Sequence, residues 1–228
     1  MAITLLELRD QSRQRADQED STFVTDSELN SYINNSIAEL HDILIQAYDS
    51  EYYLSEYSFQ TVADQSAYSL PTDFYKVVGV DLKLNGQNYF TIKKFNFNER
   101  NKFDDFGVWD VLGLSSVRYR IMGDNIRFSP DPDNVTDVRL WYIPVATKLV
   151  ADGDELADLN AYSEYVIVDA AIKMMTKEES DPSVLLQQKA ELKRRIEVAA
   201  NNRDAANPES VRDIYAENVD FYYWRTRS

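Results

Sequence analysis

The chain has no cysteine, a single histidine and only six glycines in 228 residues. Without cysteine there are no disulfides, no thiolate metal sites and no thiol nucleophile. One histidine, His41, rules out His-rich zinc sites and makes a histidine-based catalytic triad a poor expectation. The few glycines form no phosphate-cradling loop, and no Gly-x-Ser-x-Gly elbow occurs. No apolar run approaches the roughly 18 residues of a membrane span. The start, Met1-Ala2-Ile3-Thr4-Leu5, lacks the basic-then-apolar order of an export signal, so none is expected. Basic residues are scarce too, 24 Lys and Arg against 39 Asp and Glu, for a net charge of −15. A chain this acidic is not expected to grip duplex DNA, whose binding depends on neutralising phosphates. Together these absences weigh against conventional enzymology.

What is present is a foldable chain. It is 44% hydrophobic, too apolar for general disorder, and long enough for one core with a sizeable insertion. The charge is uneven. Residues 1–60 hold 3 basic and 12 acidic side chains. Solubility is the ordinary reason for such a bias; the sharper one is a surface that repels another polyanion.

Thr4-Leu5-Leu6-Glu7 has the form of a capping box, in which Thr4 accepts from the Glu7 N–H and Glu7 reaches back. It predicts a first helix from about Leu5 to Gln18, with a thin apolar face of Leu5, Leu8 and Ala16. Thr25-Asp26-Ser27-Glu28 is a second capping box. Leu29, Ile33, Ile37, Leu40, Leu44 and Ala47 then form one stripe at helical period, predicting a helix from Asp26 to about Tyr48. His41 lies just off that stripe, so a solvated or pairing histidine is expected.

From Glu56 the period changes to two. Tyr57–Val62, Ala67–Pro71 and Tyr75–Leu84 read as strands, the second an edge strand stopped by Pro71. Asn85-Gly86 is a hairpin signal, with Tyr89–Phe95 as the return strand. Val117–Met122 and Ile126–Phe128 flank Gly123-Asp124-Asn125 as a second hairpin, and Val138–Ile143 adds another strand. About six strands paired by hairpins imply a small antiparallel sandwich or open barrel. Between the hairpins, residues 96–116 are irregular and aromatic, with Phe97, Phe103, Phe106 and Trp109. A loop of that length is a candidate for partner contact.

Helical pattern returns after Asp158. Tyr165, Val166, Val168, Ala170, Ala171, Ile172, Met174 and Met175 cover much of a helix circumference, as in a central helix or a subunit contact. Asp181-Pro182 reads as an N-cap and first helical position. Leu185, Leu192, Ile196 and Ala199 form the next stripe, interrupted by Lys189. Lys193, Arg194 and Arg195 read as a solvated basic face. Residues 209–228 have no clear period but end in Phe221-Tyr222-Tyr223-Trp224-Arg225. Terminal aromatics are costly when exposed, so these five are expected to anchor on a neighbouring protein.

Chemistry-bearing patterns are weak. Asp131-Pro132-Asp133-Asn134 and Asp152-Gly153-Asp154-Glu155 only faintly resemble calcium loops and read as turns. Carboxylates are abundant, so composition does not exclude a paired-carboxylate hydrolase, but nothing marks two as partners. Trp109, Trp141 and Tyr142 offer a stacking surface for a glycan-binding β module. Asn34-Asn35-Ser36 and Asn134-Val135-Thr136 match a glycosylation pattern, without meaning in the absence of export. No cofactor and no metal site is expected.

Several blocks resemble the head-to-tail connector or adaptor proteins of tailed bacteriophages, which form the ring beneath the portal. They are Thr4–Leu8, Leu29–Asn34, Tyr68–Val80, Arg118–Ile121, and Glu164–Lys173 with Lys177–Asp181. Their order also fits, and together they span about residues 1–215. The resemblance implies a non-enzymatic virion protein in a homo-oligomeric ring, commonly of twelve copies. The ring would join the portal protein to the next tail or nozzle protein and surround a channel through which DNA passes without sequence-specific binding. It also implies assembly in the bacterial host cytoplasm and no membrane partner. Another neck or tail-completion protein is the nearest alternative. In this frame the C-terminal anchors Phe221, Tyr222, Tyr223, Trp224 and Arg225 would dock on the portal. Tyr165, Val168, Ile172 and Met175 would form a subunit-contact helix, and Phe103, Phe106 and Trp109 a contact loop for the tail component. The expected fold is α+β. A four-helix bundle-like α domain (residues 1–55 and 151–207) carries an inserted antiparallel β sandwich or barrel (56–150) and an extended C-terminal tail (208–228).

Overall fold

Thr4 opens the first helix, α1 (Leu5–Arg15), in a computed structural model that describes residues 2–19, 23–47, 52–84, 88–99, 117–156 and 160–201. The capping box is complete: the Glu7 N–H donates to Thr4 Oγ1 at 3.3 Å, and the Thr4 N–H donates to Glu7 Oε2 at 2.8 Å. Two more orphan N–H groups of the first turn, those of Leu5 and Leu6, donate to the carbonyls of Asp154 and Asp152. The helix start is thereby docked on a loop some 150 residues away in sequence. The helix ends at Arg15, three residues short of the predicted Gln18, because Asp17 takes φ 56°. The N–H groups of Asp17 and Gln18 then donate to the carbonyls of Gln14 and Arg13, a Schellman stop made without glycine.

α2 (Asp26–Ala47) matches its predicted span closely. Its capping box is half made. The Glu28 N–H donates to Thr25 Oγ1, but the Glu28 carboxylate turns to Lys177 and to the Tyr32 hydroxyl. α3 (Ser163–Lys177) stops in the same way as α1, with Glu179 at φ 59°. α4 (Ser183–Asn201) starts one residue later than predicted, with Asp181 accepting from the Ser183 N–H. α3 packs on α1, α2 and α4. One hydrophobic cluster collects Leu5 and Leu8 of α1, the Leu29-to-Leu44 stripe of α2, most of α3, and Leu185, Ile196 and Ala200 of α4. The predicted Ala199 is exposed and Ala200 takes its place.

The described residues of the middle segment form eight strands where about six were expected. They are β1 (Ser55–Gln60), β2 (Ala67–Ser69), β3 (Phe74–Leu84), β4 (Asn88–Thr91), β5 (Lys93–Lys94), β6 (Arg118–Met122), β7 (Asn125–Ser129) and β8 (Asp137–Pro144). They make two four-stranded sheets, ordered β1-β8-β3-β4 and β2-β7-β6-β5. Among the described residues neither sheet closes on itself, so there is no closed barrel and each sheet keeps two edge strands. β2 is an edge strand, as its Pro71 stop predicts.

The predicted return strand Tyr89–Phe95 is two strands. It pairs antiparallel with β3 as β4, passes through buried Ile92, whose N–H donates to Val80, and then pairs parallel with β6 as β5. The chain thus changes sheets at Ile92, which a period-two pattern does not reveal. In the second hairpin Met122 faces Asn125 across a two-residue Gly123-Asp124 turn, with Gly123 at φ 59° as such turns require. Both sheets feed one cluster that includes Val80, Leu82, Ile92, Ile126, Phe128, Val138 and Leu140. The described chain is therefore α+β, with four helices and two mostly antiparallel sheets.

Candidate functional site

The strongest concentration of charge inside the molecule lies between α2, α3 and α4. Asp169 is 2% exposed, in the middle of an otherwise apolar helix. Its Oδ2 accepts from Ser36 Oγ at 2.6 Å and from Lys173 Nζ at 2.5 Å; its Oδ1 accepts from Lys189 Nζ at 2.7 Å. Lys189 also reaches Glu39 at 2.8 Å, and Glu39 accepts from the Tyr165 hydroxyl at 2.7 Å. Burial alone would raise the Asp169 pKa, but hydrogen bonds from Lys173, Lys189 and Ser36 outweigh it and hold the carboxyl below its ordinary value. Burial likewise opposes the charge on Lys189, and its bonds to Asp169 and Glu39 raise its pKa all the same. Burial, then the bond to Glu39, pushes the Tyr165 phenol far up. Asp169, Lys189 and Tyr165 are each stabilised in their resting charge state. Such an arrangement fixes helices to one another; it does not poise a proton for transfer.

A second constellation joins the helices to the sheets. His41 on α2 is 5% exposed and stacks on Tyr53 with ring centroids 4.5 Å apart, while Tyr75 of β3 meets it edge-on at 5.9 Å. The Tyr75 hydroxyl donates to Asp42 at 2.8 Å. Burial lowers the His41 pKa, against the charge of Asp42 and a hydrogen bond to the Pro144 carbonyl. Of the two expectations for His41, the solvated one is wrong and the pairing one holds. A cleft of about 140 Å³ lies beside it, between Ile37, Tyr53, Val145 and Leu156. Nearby, Asn34 clamps the returning chain. Its amide donates to the Leu149 carbonyl at 2.9 Å, and its Oδ1 accepts from the Leu149 N–H at 2.8 Å. The residue that matched a glycosylation pattern is a splice between α2 and the chain that leaves the sheets.

On the outer face of the β1-β8-β3-β4 sheet, the Arg139 guanidinium sits 3.8 Å from the Tyr89 ring centroid and 5.6 Å from that of Trp141. Glu56 pairs with Arg139 at 3.0 Å, and the Trp141 indole donates to Asp81 at 2.8 Å. Strand alternation sends Tyr142 the other way. It is buried against Phe74, with its hydroxyl on Asp73. Trp141 and Tyr142 therefore cannot make one stacking platform, which removes the basis for the glycan reading at those two residues.

The predicted subunit-contact residues are used within the chain. Tyr165 and Val168 have no exposed surface, Ile172 is 8% exposed, and only Met175 is half-buried. α3 is apolar nearly all round because α1, α2 and α4 of the same chain surround it. Within the single chain Tyr165, Val168 and Ile172 are thus spent on its own core, and Met175 alone of the four keeps appreciable surface. Phe103, Phe106 and Trp109 lie outside the described residues, as do Phe221, Tyr222, Tyr223, Trp224 and Arg225. Of the calcium-like loops, Asp152 pairs with Arg9, and Asp154 accepts from the N–H groups of Val150 and Ala151. Among the described residues no cluster of His, Asp or Glu could hold a metal ion, and no helix is long and apolar enough to cross a membrane.

The polar network was half visible in the sequence. Lys189 interrupts one apolar stripe and Asp169 another, and two such intrusions of opposite sign signal a buried pair. Ser36, Glu39 and Asn34 gave no comparable sign.

Compared with known proteins, residues 3–212 match the model of one family, the SU10 adaptor protein. No curated protein matches the chain.

Proposed function

We propose that this chain, which belongs to the SU10 adaptor protein family of phage head–tail adaptors, is the structural connector between the portal and the tail of a phage virion. In this reading its copies form a ring, commonly of twelve in such adaptors, around the channel through which DNA passes. The observation that carries the reading is the family match along nearly the whole chain. The four helices act as one bundle-like platform built from segments 1–55 and 151–207. Segment 56–150 is a sandwich-like insertion, and residues 208–228 form the extension that docks on the portal through Phe221, Tyr222, Tyr223, Trp224 and Arg225. The loop with Phe103, Phe106 and Trp109 meets the tail or nozzle component below. Assembly takes place in the host cytoplasm.

The charge distribution supports the channel. The basic residues of the first helix turn to carboxylates of the same chain: Arg9 to Asp152 and Asp26, Arg13 to Asp26, and Arg15 to Glu164. Exposed Asp17 and Glu19 are left facing solvent. A wall of that sign lets DNA slide, because no cation captures its phosphates.

Deleting residues 209–228 tests the docking arm. The truncated chain is expected to keep its fold and lose portal binding in a pull-down. Binding undiminished by the deletion would refute that arm.

A further inference from the structure

Most of α3 is covered by its own chain, its start being the exception, and two surfaces of the molecule complement each other. The first is a groove of about 220 Å³ between the start of α3 and the end of α4, lined by Tyr162, Glu164, Leu192, Arg195, Ile196 and Ala199. Arg195 stands on its rim. Arg194 is held by Glu191 at 2.9 Å and Lys193 lies 4.0 Å from Glu197, whereas Arg195 is drawn to Glu191 only by longer-range attraction. Val184, about three turns of α4 before Arg195, and Val198, less than one turn after it, are 74% and 55% exposed. The second surface is the outer edge of α1. Leu6, 46% exposed, and exposed Asp10 stand one turn apart on one face. The arginines of α1 are all engaged elsewhere.

One surface is a groove with an apolar floor of Leu192, Ile196 and Ala199 between Glu164 and Arg195; the other is a ridge that sets Leu6 beside the Asp10 carboxylate. They cannot meet within one chain. α1 is pinned by its bonds to the Asp152 and Asp154 carbonyls and by its buried face on α3.

We propose that the α3–α4 groove receives α1 of a second copy of this chain, with Leu6 seated over Leu192 and Ala199 and Asp10 paired with Arg195. The inference rests on the ring reading above and deepens it by naming the two faces. The contact is heterologous, a groove of one copy against a ridge of the next, so it propagates from copy to copy and closes if the rotation permits. Apolar anchors beside a charged pair are the composition expected of such a contact.

Because the chain has no cysteine, disulfide trapping reads this contact directly. The full-length chain carrying Asp10→Cys and Arg195→Cys is oxidised, alone and in the presence of portal. A ladder of covalent multimers is expected from the double variant and none from either single variant. Native mass spectrometry of the unaltered chain in the same conditions separates the two readings. If copies associate but the double variant gives no ladder, the groove-and-ridge contact is wrong and the ring stands. If copies never associate, even on portal, both fall. Charge reversal is a second readout. Arg195→Glu alone should weaken association roughly tenfold, and Asp10→Lys in the same chain should restore it. Equal association of all these variants would overturn the proposal.

Discussion

In the helical core a carboxylate, two ammonium groups and a serine hydroxyl are gathered among Leu, Ile and Val. In the sheet half the buried polar side chains are uncharged: tyrosines 68, 119 and 142 with Thr61 and Ser129, Tyr68 reaching the Val62 backbone, Tyr142 Asp73 and Thr61 the Asn134 carbonyl. The two halves are thus specified differently. Three helices bearing Leu and Ile stripes can slide along one another at little cost. A buried Asp169 that must meet Ser36, Lys173 and Lys189 at once allows one register, the best attested use of a buried ion pair. The sheets need no such device, because shifting a strand by one residue would turn its whole apolar row to solvent. In the ring proposed above, a platform with one permitted helix register is the useful half to over-determine.

The contrast is broken most sharply by Asp169→Ala. It leaves Lys189 and Lys173 without their shared partner, and a loss of about 3–5 kcal/mol in urea denaturation is expected. In the sheet core no single residue has that weight. Leu140→Ala, fully buried, should cost about 2–4 kcal/mol through its cavity alone. If Asp169→Ala proves no worse than Leu140→Ala, the network is not what sets the helices. Thr4→Ala removes the cap of α1 and should cost about 1 kcal/mol, read as a small drop in the denaturation midpoint.

The pH dependence separates the junction from the core. His41 is held below its ordinary pKa of 6.5 by burial. As pH falls below that value the unfolded chain binds a proton that the folded chain refuses, so stability declines until the folded imidazole also titrates. His41→Phe, which keeps the stacking on Tyr53, should flatten this part of the profile. Asp169 works in the same direction at lower pH. Its depressed pKa contributes stability that is full above the ordinary carboxylate value of 3.8 and is lost as pH falls through the folded value. A His41→Phe profile identical to that of the unaltered chain would show that the junction histidine carries none of the acid sensitivity.

The two halves also differed in how far their sequence could be read. In the helices, capping boxes and apolar stripes placed both ends of α2 and the start of α4 within about a residue and located α3 without fixing its ends. The fourth, α1, ended early because Asp17 adopts a left-handed conformation that sequence reading expects of glycine. The sheets were harder. Alternation located the strands but not the sheet change at Ile92, since an inward-facing residue looks the same in either sheet. The functional surfaces were the least legible. An apolar helix face is the same pattern whether a partner or the chain's own helices cover it, and α3 proved to be the latter. The family, by contrast, was legible in short blocks spread along the chain, and its match spans them.

The central claim is that this chain is a connector completed by its own copies on a portal. Electron microscopy of the full-length protein mixed with portal tests it most directly. A ring of density coaxial with the portal, many copies on its tail-facing side, is the expected image. Bare portals beside a protein that stays monomeric at saturating concentration would contradict the account.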